Sequence, residues 1–161
     1  MAMLLSAALL PACKEEKSET STAAAGSAAP IGLAECAACK MVVREQPAPR
    51  AQVIHRDGTR AHLCSIGDLV QYLQAPSPHG KPSAIWVEGL EAEFDPTASD
   101  TKERSFIEAT SAHYVVGVKR ERIMGPAVLA YASAEVAKSA AAKHGGTVND
   151  WQQLQAYVLK K

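Results

Sequence analysis

Aromatic side chains are scarce in this 161-residue chain, at 5%. That scarcity argues against the stacking platforms that bind single-stranded nucleic acid. An excess of either charge is missing too, because 17 Lys and Arg balance 17 Asp and Glu. A nucleic-acid partner would need a basic footprint, so none is expected. No glycine-rich phosphate loop and no Gly-x-Ser-x-Gly elbow occurs, which removes the two commonest nucleotide signatures and the usual serine hydrolase signature. The apolar run over residues 3–10 is too short to cross a bilayer as a helix.

That run reads instead as the apolar region of a secretory signal. It leads into Leu10-Pro11-Ala12-Cys13, which resembles a bacterial lipobox. Residues 1–12 are then a signal peptide and Cys13 is the lipidated first residue of the mature chain. Residues 13–34 carry the lipid and a tether, whose stretch up to Pro30 is Lys, Glu, Ser, Thr, Ala and Gly without one aromatic residue. Such a composition cannot offset its own ordering entropy. The expected place is the cell envelope, lipid-anchored and facing the periplasm, on the outer or cytoplasmic membrane.

The rest divides into residues 35–98 and 99–161. Alternating residues 51–55, the Asp57-Gly58 turn and a return over 59–64 predict a hairpin. Ser65 caps a helix, with Asp68 at capping-box distance, and residues 84–87 form a strand. Strands are also expected at 106–109, 112–117 and 127–132. A helix capped by Ser133 then ends at His144-Gly145-Gly146, and a short strand at Thr147-Val148 precedes a last helix over 150–159. Met41-Val42-Val43 reads as a further short strand. Both halves thus run strand, strand, helix, strand, a likeness of order and not of residues, and the fold class is α+β with two small ββαβ-type halves.

The chemistry concentrates in Cys36-Ala37-Ala38-Cys39-Lys40-Met41. Thiolate and thioether are soft ligands that select Cu(I), Zn(II) and iron–sulfur centres. The thioether favours Cu(I), since Zn(II) prefers thiolate, imidazole and carboxylate. With Lys40 extended, Cys39 and Met41 would point to one side and could share an ion. Cys36, Cys39 and Cys64 cannot all pair within one chain, and an odd thiol in an oxidising compartment signals reactivity or metal binding. Four roles compete: Cu(I) on Cys39 and Met41 with a further ligand; Zn(II) on Cys36, Cys39, His62 and Cys64; a disulfide; and a thioredoxin-like redox pair. The redox pair is disfavoured because valines follow the motif rather than a helix-forming run. His62 and His113, on strands, are candidates for the third copper ligand. Met124 is a candidate second thioether or a core filler. His55, beside the Asp57-Gly58 turn, reads as a solvated residue, and His79 as exposed.

These landmarks resemble the NosL family, the copper-binding accessory lipoproteins of nitrous-oxide reductase maturation. The resemblance rests on the lipoprotein signal and tether, the Cys-x-x-Cys-x-Met, the Asp-Gly hairpin, His113-Tyr114-Val115-Val116, Met124-Gly125-Pro126 and the helix ending in His144-Gly145-Gly146. It implies two ββαβ halves and Cu(I) on Cys39 and Met41. Cys36, His113, His62, Cys64 and Met124 remain ranked helpers. It also implies a metallochaperone rather than an enzyme, passing copper to the apo-reductase or its membrane transporter machinery. Two departures stand out: Lys40, where the family usually has glycine, and the His62-x-Cys64 pair.

Overall fold

The structure, a computed structural model, describes residues 26–47, 49–121, 123 and 125–160. The signal peptide, Cys13, the tether up to residue 25 and Met124 lie outside the described residues.

A strand pair opens the first half. β1 (Ala51–His55) and β2 (Arg60–Leu63) run antiparallel, with Ala51 opposite Leu63, and Gly58 takes φ 85° in the turn that joins them. Helix α1 (Ile66–Tyr72) starts at Ser65, whose hydroxyl accepts the Asp68 N–H at 3.0 Å. β3 (Pro82–Glu88) returns on the other side of β1. β4 (Phe106–Glu108) adds to β3, so this strand joins the first sheet although it comes after residue 98. The order is β2-β1-β3-β4.

The second half repeats the plan. β5 (His113–Val116) is central, β6 (Val128–Tyr131) lies on one side, and β7 (Thr147–Asn149) reaches the other after helix α2 (Ala134–His144). Both halves therefore place their first strand in the middle. The α2 exit needs glycine twice. Gly145 is left-handed at φ 76°, and a Cβ on Gly146 would stand 2.6 Å from Val115 Cγ1 and 2.8 Å from the Val116 carbonyl. Helix α3 (Trp151–Leu159) closes the chain with a reciprocal Asp150–Gln153 capping box.

Alternation along the strands builds the core. Ala51, Val53, Ala61, Leu63 and Val87 face inward, against Leu69 and Val70 of α1, Leu154 and Val158 of α3, and Tyr114, Val116 and Ala130 of the second sheet. The opposite face of the second sheet buries Val115, Leu129 and Tyr131 against Ala137, Ala140 and Ala141 of α2. The outer face of the first sheet carries Gln52, Arg60 and Trp86. These side chains hold the chain leading into the domain: Trp86 Nε1 donates to the Gly26 carbonyl, Arg60 to that of Ser27, and Gln52 bonds both Ala29 N–H and its carbonyl. Ile31 is buried in the main core. Part of the segment expected to be tether, residues 26–29, is thus laid against the sheet.

Two local expectations fail. Met41-Val42-Val43 is not a strand: only Val42 bridges, to Glu35, and Val43–Glu45 is a 3₁₀ turn. The reason is Lys40, whose φ of 65° turns the chain where extension was expected. His55 is not solvated. It is 2% exposed, with its ring bonded to the Gly80 carbonyl and the Tyr72 hydroxyl, each at 2.9 Å. The turn after β1 folds back beneath the 75–80 loop, which sequence alone does not reveal. His79 is exposed as expected and pairs with Asp57 at 2.8 Å.

At the junction of these parts lies a fully buried ion pair. Arg50 Nη2 meets Glu88 Oε1 at 2.6 Å, and Nε meets Oε2 at 2.8 Å. Removing one partner of such a pair strands a buried charge. Glu88→Gln is expected to lower the unfolding free energy by about 3–5 kcal/mol, read from urea denaturation.

Candidate metal centre

The Cys-x-x-Cys-x-Met segment is a closed turn. Cys36 N–H donates to the Met41 carbonyl at 2.8 Å, Lys40 N–H to the Cys36 carbonyl at 2.9 Å, and Val43 N–H to the Ala34 carbonyl at 2.9 Å. A parallel bridge ties Cys36 to His62 on β2, with Ala37 N–H donating to the His62 carbonyl at 2.8 Å. This docking sets the turn beside the end of β2, where Cys64 follows. The two thiols of the turn thereby meet a third from a distant part of the sequence: the Sγ atoms of Cys36, Cys39 and Cys64 all lie within 4.8 Å of one another. Cys39 and Cys64 are 3.4 Å apart. Cys36 and Cys64 are buried, and Cys39 is half-buried.

The cluster is electrostatically uneven. Burial pushes the Cys36 thiol up, but backbone N–H groups of Cys39, Cys64 and Ala38, with the Cys64 thiol, more than offset this, so its pKa is lowered. The Cys64 N–H to Cys36 Sγ contact is 3.3 Å. Cys64 is pushed up by burial and by the two neighbouring thiols. The arrangement makes Cys36 easier to ionise than Cys64.

Met41 lines a pocket of about 20 Å³ together with Cys64, Ser65, Asp68, Arg120 and Pro126, drawn from both halves. The turn at Lys40, not strand alternation, brings the thioether here. Asp68, read from sequence only as a capping residue, leaves Oδ2 buried without a hydrogen-bond partner among the described residues. Burial raises its pKa against the lowering effect of the Ser65 hydroxyl. Nothing local marks Asp68 or Arg120 as pocket residues, because their meeting depends on how the halves pack.

The histidines do not join the sulfurs. Among the described residues the donor group is Cys36, Cys39 and Cys64 alone. His62 sits on β2 between the inward Ala61 and Leu63, so alternation directs its ring to the other face, with Arg60. Its Nδ1 is buried without a hydrogen-bond partner among the described residues, and burial, helped by the Arg60 charge, lowers its pKa to about 4. His113 pairs with Tyr131 in the second sheet, near Glu135.

A pair of ββαβ units carrying a three-thiol cluster at the edge of the first defines an α+β protein with a soft-donor site. The NosL family model matches residues 31–159, and the chain belongs to the NosL family. Over 127 residues it is 26% identical to the "Copper-binding lipoprotein NosL" of Stutzerimonas stutzeri, covering 79% of this chain and 65% of that protein. The chain thus spans just under two thirds of that curated relative. It is also similar to the crystal structure of the copper chaperone NosL from Shewanella denitrificans, with TM-score 0.66 and 23% identity over 80% of this chain and 95% of the other. That likeness bears on the fold. The solution structure of apo-NosL from Achromobacter cycloclastes matches at TM-score 0.47 and 20% identity, over 63% of this chain and 82% of that one.

Two outcomes follow. A left-handed non-glycine residue costs about 1–2 kcal/mol, so Lys40→Gly should raise stability by about 1 kcal/mol in urea unfolding of the apo chain. His62 has a folded pKa of about 4 against an ordinary 6.5. The unfolded chain therefore binds its proton first as pH falls, and the stability tied to neutral His62 is full above pH 6.5 and lost toward pH 4. Apo His62→Gln should show a flatter stability profile across that window than the parent chain.

Proposed function

We propose that this chain is an envelope lipoprotein that binds Cu(I) and delivers it for maturation of nitrous-oxide reductase, acting as a metallochaperone and not as an enzyme. The observation that carries this reading is the convergence of three thiols within 4.8 Å, beside the Met41 pocket, in a chain of the NosL family. The names of its relatives, a copper-binding lipoprotein and a copper chaperone, support copper as the cargo.

In this reading Cys39 is the anionic ligand and Met41 the soft neutral one. Cys36 and Cys64 complete the sulfur set in this reading, supported by their distance to Cys39, while His62 stands on the other face of β2. A thioether binds without losing a proton, whereas thiolate affinity depends on pH. Cys39 is half-buried, so an acceptor's ligand can reach the ion there before the inner sulfurs let go. The recipient is the apo-reductase or the transporter machinery that assembles its copper sites. A lipid on Cys13 would hold the domain at the membrane surface.

The Zn(II) alternative needs a fourth donor, and His62 does not supply it from the opposite face. A thiol oxidoreductase would place its Cys-x-x-Cys at a helix N-terminus, where the thiolate is favoured; here a 3₁₀ turn follows instead.

Anaerobically purified protein, titrated against a Cu(I) chelator, tests the assignment. Met41→Leu should weaken Cu(I) binding at least about tenfold, or ~1.4 kcal/mol, and Cys39→Ser should weaken it further, with circular dichroism unchanged in both. Undiminished affinity in the double variant, or zinc as the metal retained on purification, would overturn the reading.

A further inference from the structure

We infer that Cys39 and Cys64 are a reversible disulfide pair whose oxidation closes the ion site, an inference on regulation that rests on the copper-binding reading above. Their sulfurs are 3.4 Å apart. A disulfide needs about 2.04 Å, so small side-chain rotations bring them to bonding distance. The two thiols differ in access in the way exchange chemistry requires. Cys39 is half-buried and can meet an incoming oxidant, whereas Cys64 is buried behind it and can attack only from within. Cys36 is set apart: its sulfur already accepts the Cys64 N–H at 3.3 Å.

The oxidant is a disulfide, R–S–S–R, of a small molecule or of a protein. The Cys39 thiolate attacks one of its sulfurs, the R–S–S–R bond breaks, and one RS⁻ leaves. Cys64, 3.4 Å away, then attacks the Cys39 sulfur of the mixed disulfide, the Cys39–Cys64 bond forms, and the Cys64 proton passes to the departing sulfur, which leaves as RSH. The protein loses two electrons and two protons, and R–S–S–R becomes two RSH. The product keeps one thiol, Cys36, and the thioether of Met41. Two of the three anionic donors are gone, and the ion loses the half-buried sulfur through which it enters. A bound ion has the converse effect, since its thiolates are no longer free to attack. The chain thus takes up its cargo when reduced and stays closed when an oxidising envelope acts on the empty site.

The test uses the full chain carrying Cys13→Ser, so that the three core cysteines are the only thiols. Treated with oxidised glutathione and then alkylated, it should fall from three free thiols to one by intact mass. Its Cu(I) affinity should drop at least tenfold and return with dithiothreitol. With Cys36→Ser added, the pair should still form. With Cys64→Ser added instead, oxidation should slow at least tenfold or stop at a glutathione adduct. Three thiols persisting, or a stable glutathione adduct on the parent chain, overturns the inference. So does equal oxidation of the Cys64→Ser chain, which would mean that Cys36 and Cys39 pair. Unchanged Cu(I) affinity in the oxidised chain overturns the regulatory role. Lack of Cu(I) uptake by the reduced chain overturns the chaperone reading and the regulation built on it, while the thiol count still decides the disulfide.

Discussion

The architecture around the site depends on one buried charge pair. Arg50 immediately precedes β1 and Glu88 closes β3, and both are wholly removed from solvent. Their charges are matched, but matching leaves further donors and acceptors to satisfy. Arg50 meets the rest with the carbonyls of Arg44, Gln46, Thr101 and Lys102. Glu88 also accepts the backbone N–H groups of Arg50 and Arg104. Each bond is hard to give up, since an orphaned partner would sit in a low-dielectric interior. The pair therefore pins two otherwise irregular segments to the first sheet. One follows the sulfur turn and supplies a wall of the Met41 pocket. The other brings in β4.

The sulfur site needs such pinning because it is not built on regular structure. Cys36, Cys39 and Met41 sit in a turn whose internal hydrogen bonds fix its shape but not its position. Position comes from the bridge to His62 and from the segment behind Val43, whose side chain is fully buried. Cys64 arrives from the end of β2 and is held by the start of α1. A site assembled in this way gathers three thiols while leaving one sulfur half open. That combination fits the carrier role proposed above, in which an ion would have to leave intact.

Much of the fold was legible from local chemistry. The Asp57-Gly58 turn, the Ser65 and Ser133 caps and the glycines after His144 all mark boundaries through interactions within a few residues, and tertiary packing left them in place. The ββαβ order of both halves followed from these marks. What failed did so for identifiable reasons. Lys40 carries no glycine to announce a left-handed turn, so Met41-Val42-Val43 looked like a strand. His55 looked solvated because the loop that covers it lies more than twenty residues away. β4 reads as part of the second half but pairs with the first, since edge pairing is decided by which strand has a free side.

By itself the sequence determined the soft-donor chemistry, since residue identity sets ligand hardness regardless of fold, and the caps and turns, since these are short-range. Only the tertiary structure decided which donors meet. Alternation on β2 turned the His62 ring away and left Cys64, just past the strand end, to come within 3.4 Å of Cys39. No spacing rule distinguishes those two neighbours, because the choice rests on which face of the sheet the sulfur turn docks against.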